Sequence, residues 1–427
     1  MNIVILTLHN PFDFDFKNWL SNKEHNIFLF LDKHSITCSE TEFFNYKQSF
    51  KKVMCFDNYI NNGLIDYEIL KIHNEYKVDC IVSFGEDDIL RASRLRKKFN
   101  IVGAEEEFEI CFRDKVKMKE LAFDNNIATP KFMALNSPLD LINFYQEINS
   151  PIFVKPRSAS GSVFTKKISN EEDLKSCLSQ NFIARIPFSE YYSDSMVEEY
   201  IDAEMYHIDG LIVDSELMVA WPSKYLSKNL DLTSIQNQLS VGSAMLDKNN
   251  LLTEPLLNFA KNVIKKFPFY KHSTFHIEVF VTEKNEIKLC EVAARTGGGK
   301  INLMFKTAFG CDLNKLLLNL HLATAKNDAC EIKNIKSELL YLKEPKYIAG
   351  FFLISPICGS FLSGVQSCDF DFVADFCLTA KPGQKFNGRE YSGDNMGHAV
   401  CVGSNEQILN NNIKQTVDWV YSNIKYE

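Results

Sequence analysis

At 427 residues the chain is longer than one hydrophobic core usually organises, so two to four structural units are expected. Its composition, 45% hydrophobic and 24% charged, is that of a folded globular protein and argues against disorder, while a net charge of -8 without a long basic run argues against a nucleic-acid partner. The 12 cysteines are scattered without a C-x-x-C pair, which points to reduced thiols in the cytoplasm rather than zinc; the apolar start Met1–Leu8 is too short for a signal peptide, and no apolar run is long enough to span a membrane.

Residues 1 to about 105 alternate short apolar runs (Ile3–Leu8, Asn26–Leu31, Lys52–Phe56, Asp79–Phe84) with polar or amphipathic stretches, the pattern of parallel βαβ units. The fourth run ends in Gly85-Glu86-Asp87-Asp88. Carboxyl ends of strands face the ligand crevice in open α/β sheets, so Glu86 is a candidate substrate group, with Asp87 or Asp88 as a helix cap. A helix follows from Phe112 to Asn126, its first half crowded by Arg113, Lys115, Lys117 and Lys119. The strand Pro151–Pro156 carries Lys155 into the small-residue loop Arg157–Ser162, and a second strand, Val163–Lys167, follows. Strand–loop–strand differs from a P-loop, which needs a helix and a G-K-[ST] ending.

Met196–Ile201, Glu204–Val213 and Ser215–Trp221 read as strands, and a helix covers about Glu254–Lys266. Ser273–Thr282 and Glu286–Ala293 form two strands joined by the turn Glu283-Lys284-Asn285. Arg295-Thr296-Gly297-Gly298-Gly299 then opens a helix at about Ile301. The last hundred residues read as a smaller mixed α/β cap closed by a helix at Asn405–Ile424.

The strongest chemical signal is the pair of acidic strands holding Glu278 and Glu291. Two carboxylates on one face of a hairpin can bridge Mg²⁺, a hard ion that prefers oxygen ligands and phosphates. A single strand glutamate would more often face solvent; the company of these two raises the metal reading. Arg295 follows Glu291 at same-face spacing, and the glycines at 297–299 permit close backbone approach to an anion beside a helix start. Lys155 at a strand end, and more weakly Lys115, are candidate phosphate cations, with the amides of Ser158 to Ser162 as a cover. Glu198-Glu199-Tyr200-Ile201 reads as a hinge strand able to hold adenine through an acidic acceptor and backbone groups, or simply as an edge strand.

In this order, Arg113-Asp114-Lys115, Phe153-Val154-Lys155-Pro156, the Ser158–Ser162 loop, Val197-Glu198-Glu199-Tyr200-Ile201 with Glu204, Ile277-Glu278-Val279 and Glu291–Gly299 resemble the ATP-grasp superfamily along the whole chain. The resemblance implies an α/β chain, α+β in its central domain: a Rossmann-like pre-ATP-grasp domain at 1–110, an ATP-grasp domain at 111–330 with a mobile lid at about 150–215, and a C-terminal α/β subdomain at 331–427. It implies ATP with Mg²⁺, or Mn²⁺, as cofactor. Lys115 and Lys155 would contact the phosphates, with Ser160, Gly161 and Ser162 as lid. Glu198 or Glu199 would accept from adenine, Tyr200 and Ile201 would give main-chain contacts, and Glu204 would hold the ribose. Glu278 and Glu291 would hold the metal and Arg295 would stabilise an acyl phosphate. Substrate groups, by position only, are Glu86, His276, Gly298, Lys300 and Asn302, with His398 as an outside candidate.

Within the superfamily the chain is most similar to carboxylate–amine ligases of the biotin-carboxylase-like branch, such as bacilysin-type dipeptide ligases and carnosine synthase. That implies a cytoplasmic biosynthetic enzyme joining a small carboxylate, such as an amino acid, to an amine, with a homodimer as the expected assembly and a carrier protein as alternative acceptor. One departure stands out: many members have Asn two residues after the second glutamate, where this chain has Ala293, so a usual third metal ligand is missing. The rival from another class is a nucleotide-binding regulatory module without turnover. A nicotinamide dehydrogenase is disfavoured, because His9-Asn10-Pro11 stand where G-x-G-x-x-G would follow the first strand.

Overall fold

The computed structural model describes residues 1–20, 25–149, 151–161, 164–179, 194–227, 240–389 and 393–427. Four strands, β1 (Asn2–Thr7), β2 (Asn26–Asp32), β3 (Lys52–Phe56) and β4 (Cys80–Ser83), form a parallel sheet in the order β3-β2-β1-β4. Ile3, Val4, Ile5 and Leu6 are all fully buried, because both faces of this sheet are covered. The alternation of β1 sorts Ile3 and Ile5 onto one core and Val4 and Leu6 onto another. The first of these cores also takes Leu318 and Leu322 of the helix Leu313–Ala325, which ties the N-terminal sheet to the second half of the chain.

A four-stranded antiparallel sheet of β5 (Phe132–Leu135), β6 (Ile152–Pro156), β7 (Lys166–Ile168) and β8 (Ser195–Glu199) has the order β5-β8-β6-β7. The second strand expected here from Val163 begins later, at Lys166. Phe164 takes a left-handed φ of 55°, which an extended strand does not accommodate, and residues 162–163 lie outside the described part.

The third sheet has eight strands: β9 (Glu204–Val213), β10 (Glu216–Tyr225), β11 (Ser240–Met245), β12 (Ser273–Val281), β13 (Ile287–Ala293), β14 (Ile348–Ile354), β16 (Val373–Leu378) and β18 (Gly397–Gly403). Their order is β13-β12-β9-β10-β11-β14-β18-β16. The small strand β15 (Gly359–Ser363) pairs with β17 (Lys385–Phe386) on one side and β19 (Lys425–Tyr426) on the other. The C-terminal strands thus continue the sheet that carries the two glutamates, through β11 against β14. One face of β9, β12 and β13 is apolar, with Tyr206, Ile208, Ile277, Val279, Leu289 and Val292 in a core with the helix Thr253–Lys266. The other face is left for polar groups. Among the described residues no helix is long and apolar enough to cross a membrane.

Candidate active site

Glu278 and Glu291 are direct register partners between β12 and β13, and a bulge follows immediately after Glu278. Cross-strand partners share a face, so the two carboxylates stand side by side, an arrangement that is costly unless opposite charge is near. That charge comes to Glu291 from a helix outside the hairpin and to Glu278 from β12 itself. Lys115 Nζ lies 3.1 Å from Glu291 Oε1. Glu278 Oε1 accepts from the Tyr225 hydroxyl and is 3.3 Å from His276 Nε2. Burial pushes the Glu278 carboxyl up, but the His276 imidazolium and the Tyr225 donor outweigh it and hold the group down at about 2.

A second row runs parallel to the first. His276 pairs in register with Asp209 of β9 on one side and Ala293 of β13 on the other, while His207 pairs with Glu278. Asp209 is fully buried and receives the rings of both His276, at 2.8 Å, and His207. Burial lowers the His276 pKa, but Asp209 and Glu278 outweigh it and raise the ring to about 10; Asp209 is held well below the carboxylate range by the two histidines despite burial. Such carboxylate–imidazole pairing fixes a ring's orientation.

The helix Lys115–Asp124 carries two lysines one turn apart on a shared face. Lys115 also donates to the carbonyl of Ala159 at 2.6 Å, so it spans from the sheet to the small-residue loop. Lys119, fully buried, lies 3.0 Å from Glu198 Oε2, and Lys155 lies 2.6 Å from Glu198 Oε1. Burial works against the charge on Lys155, but Glu198 outweighs it and raises the pKa; on Lys119 burial wins and the pKa falls. The Glu198 carboxylate thus stands between two buried lysines, hydrogen-bonded to Lys155 at Oε1 and ion-paired with Lys119 at Oε2, so it serves the protein as an internal counter-ion.

Glu86 is likewise an internal counter-ion. It is 4% exposed, accepts from Arg113 and is held by Arg295, whose Nε lies 3.0 Å from its Oε2. Burial alone would raise its pKa, but Arg295 and Arg113 hold it down at about 2. Arg113 Nη2 also donates to the Ser158 carbonyl at 2.7 Å, so the loop after β6 is tied to the end of β4 through one guanidinium. Neither Asp87 nor Asp88 makes a side-chain cap of the next helix. Asp88 is buried against the Tyr59 hydroxyl (3.1 Å) and Arg91 (2.9 Å), and burial raises it to about 7.

Ser160 and Gly161, with φ 69° at Gly161, are in the loop after β6, and Ser162 lies outside the described residues. Glu199 and Tyr200 are half-buried at the end of β8, with Lys167 Nζ 3.8 Å from the Tyr200 ring centroid, and the Ile201 carbonyl accepts from Ala203 N. Glu204 is not with the other groups: the pleat puts it on the face of Tyr206 and Ile208, opposite His207 and Glu278, and it pairs with Lys224 at 3.1 Å. It lines a shallow cavity of about 210 Å³ with Tyr206, Leu252 and Val281 on that other face.

Lys300 pairs with Asp13 at 3.1 Å, Asn302 donates to Asp312 at 3.1 Å, and His398 pairs with Asp375 at 2.8 Å, so each of these three has a partner apart from the carboxylates. Gly298 is open around its Cα, while Gly297 is not: a Cβ there would meet Asp209 Oδ1 at 2.6 Å and His276 Nδ1 at 2.8 Å. The residues not singled out from sequence are Lys119, His207, Asp209 and Tyr225. The readable signal for them was His207-x-Asp209, two ionisable groups at same-face spacing inside an otherwise apolar strand, and Lys119 four residues after Lys115.

Residues 148–303 match the ATP-grasp domain family. The chain is 29% identical over 257 residues to an L-arginine-specific L-amino acid ligase of Bacillus subtilis, covering 59% of this chain and 59% of that protein. It is 21% identical over 252 residues to a D-alanine–D-alanine ligase A of Clostridium perfringens, covering 58% and 77%. It therefore spans less than two thirds of the length of the first of these curated relatives. Among solved structures, an L-amino acid ligase from Bacillus licheniformis superposes with a TM-score of 0.74 at 15% identity, covering 100% of this chain and 98% of that one. A biotin carboxylase domain from Hydrogenobacter thermophilus, in complex with MgADP, ADP and bicarbonate, gives 0.69 at 13% identity, covering 100% and 90%. At these identities the likeness is one of fold.

Proposed function

We propose, from the premise that this chain belongs to the ATP-grasp superfamily, that it is an ATP-dependent carboxylate–amine ligase acting on an amino acid or another small carboxylate. The observation that carries this reading is the cross-strand pair Glu278–Glu291, set among Lys115, Lys155 and Arg295. Two adjacent carboxylates, oxygen donors only and each with a partner of opposite character on one side, suit a hard divalent cation. They would hold Mg²⁺, which when bound neutralises charge on a transferring phosphoryl group.

The chain's own residues do the rest. Lys115 and Lys155 neutralise and orient the phosphates, and the loop at Ser158 to Gly161 covers them. The carboxylate of the first substrate attacks the γ-phosphorus, ADP leaves, and the amine of the second substrate displaces phosphate from the acyl phosphate. Arg295 sits where it can offset negative charge at the acyl phosphate. Adenine recognition falls to Glu199 and to the main chain of Tyr200 and Ile201, since the Glu198 carboxylate is held by two lysines.

The test is a phosphate-release screen with ATP, Mg²⁺ and pairwise amino acids, with and without carrier proteins, followed by mass analysis of the products. Turnover should require an added carboxylate, yield a product heavier by the amine minus water, and be lost in Glu278→Gln and Glu291→Gln. ATP consumption indifferent to both substitutions would refute the reading, and binding of nucleotide without turnover on any acid would favour a regulatory module.

A further inference from the structure

We infer that His276, clamped by Asp209, is a positioning residue: it fills the place beside the carboxylates that Ala293 leaves open, and fixes which oxygen of Glu278 is presented to a metal. The inference rests on the metal reading of Glu278 and Glu291 and adds residues to which that reading gives no role.

Three observations carry it. First, His276 and Ala293 are register partners on adjacent strands, so their side chains rise from the same face at directly opposed positions. Position 293 carries only a methyl group, 2% exposed, opposite an imidazole that is itself 7% exposed. Second, His276 has no freedom to swing. Its Nδ1 is 2.8 Å from Asp209 Oδ1, and the backbone of Gly297 closes over the pair so tightly that a Cβ would lie 2.8 Å from Nδ1 and 2.6 Å from Asp209 Oδ1. His207 braces the far oxygen of Asp209 from the neighbouring strand position. Third, both groups that hold Glu278, His276 Nε2 at 3.3 Å and the Tyr225 hydroxyl, contact the same oxygen, Oε1. Oε2 is then the oxygen presented to a cation. A side chain amide at 293 would supply a ligand of its own; here a buried carboxylate, an imidazole and a hydroxyl supply orientation instead, and outer partners of this kind typically govern metal affinity by roughly 10- to 100-fold.

The test uses the full chain with a non-hydrolysable ATP analogue and Mn²⁺ as probe, reading bound Mn²⁺ by electron paramagnetic resonance, so that no substrate is needed. His276→Ala should weaken nucleotide-dependent Mn²⁺ binding by roughly 10-fold or more. Ala293→Asn alone should also weaken it, because the amide is forced against the ring. The double variant His276→Ala with Ala293→Asn should bind better than either single one, a reciprocal rescue that a merely structural histidine does not give. Asp209→Asn and His276→Gln, which keep volume, carry the same titration if the alanine variant does not fold, and Asp209→Asn should lose affinity while His276→Gln retains part of it. Unchanged affinity in the His276 and Asp209 variants, or no gain in the double variant, overturns the inference. Failure of the unaltered chain to bind nucleotide-dependent Mn²⁺ at all would instead sink the metal reading beneath it.

Discussion

Replacing Glu198 by Gln keeps shape and removes one charge from a buried trio. Lys155 and Lys119 sit 2.6 and 3.0 Å from its two oxygens, and all three residues are at most 5% exposed. At an effective dielectric constant of about 20, each attraction is roughly 6 kcal/mol before desolvation is counted. Breaking a buried pair by removing one partner typically costs about 3–5 kcal/mol, since the other charge stays buried without compensation. Here two cations are left, so the upper end is expected. Lys119→Met removes a charge too, yet leaves Lys155 and Glu198 as a neutral pair and gives up only the further contact of Lys119 to Thr129; it should cost at least about 2 kcal/mol less. The damage is local to β6, β8 and the helix behind them. The three tryptophans, Trp19, Trp221 and Trp419, lie elsewhere, so fluorescence would miss it. Native-state hydrogen exchange of peptides covering 152–156 and 195–199 is the appropriate assay. Glu198→Gln changing protection there by under about 1 kcal/mol, or Lys119→Met proving the more damaging, would refute the view of Glu198 as counter-ion to two lysines.

Two further outcomes are expected. Gly297→Ala, with its Cβ 2.5 Å from Ile301 Cδ1 and against Asp209 and His276, should raise the Mg²⁺ concentration needed for half-maximal turnover by about tenfold, whereas Gly298→Ala, with nothing within 4 Å, should leave it unchanged; a metal titration of both variants decides. His272, 1% exposed, accepts the Asp214 amide at Nδ1 (3.2 Å), and burial lowers its pKa to about 4. The unfolded chain, near 6.5, takes up that proton first, so this contribution to stability is full above about pH 6.5 and is lost as pH falls toward 4, about 3 kcal/mol in all. Urea midpoints at pH 7.5 and 5 should therefore differ less in His272→Gln than in the unaltered chain, and equal differences would count against it.

The elements were readable where local pattern settles them. Apolar runs such as Ile27–Leu31 mark strands buried on both faces, and the turn at 283–285 between two alternating stretches makes Glu278 and Glu291 a hairpin pair before any coordinates exist. Their exact opposition was less legible, because the bulge after Glu278 shifts the count from the turn by one. Glu204 shows the limit more sharply. Its strand was legible, but its face is set by Ile208 pairing with Ile277, a register between segments some 70 residues apart that no local alternation prints. The lysine partners of Glu198 were hidden for a related reason. Acidic residues in a hinge strand suggest an acceptor until Lys119 is brought in from a helix far upstream, a long-range pairing with no signature in either segment. Glu86 follows the carboxyl end of β4 as its sequence position indicates, yet the two arginines that take its charge are Arg113 and Arg295, the latter from beyond β13.

A common feature of these corrections is that the site's cations are already matched within the protein. Lys155 has Glu198, Arg295 has Glu86, and Lys115 has Glu291 together with the Ala159 carbonyl. Buried cations without partners would lose their protons or their place, and burial alone does push Lys155 and Arg295 toward lower pKa until their carboxylates reverse it. Under the proposed function, nucleotide binding is then an exchange of partners rather than the filling of a positively charged hole. Lys115 is the member of this set whose partners lie on different elements, the sheet through Glu291 and the loop through Ala159. Phosphate drawn to Lys115 must compete with one contact or the other, and whichever yields determines whether the loop at 158–161 stays against the helix or moves with the nucleotide. The Glu86–Arg113 contact, which holds the same loop through the Ser158 carbonyl, does not involve Lys115 and keeps a second attachment in place while that exchange occurs.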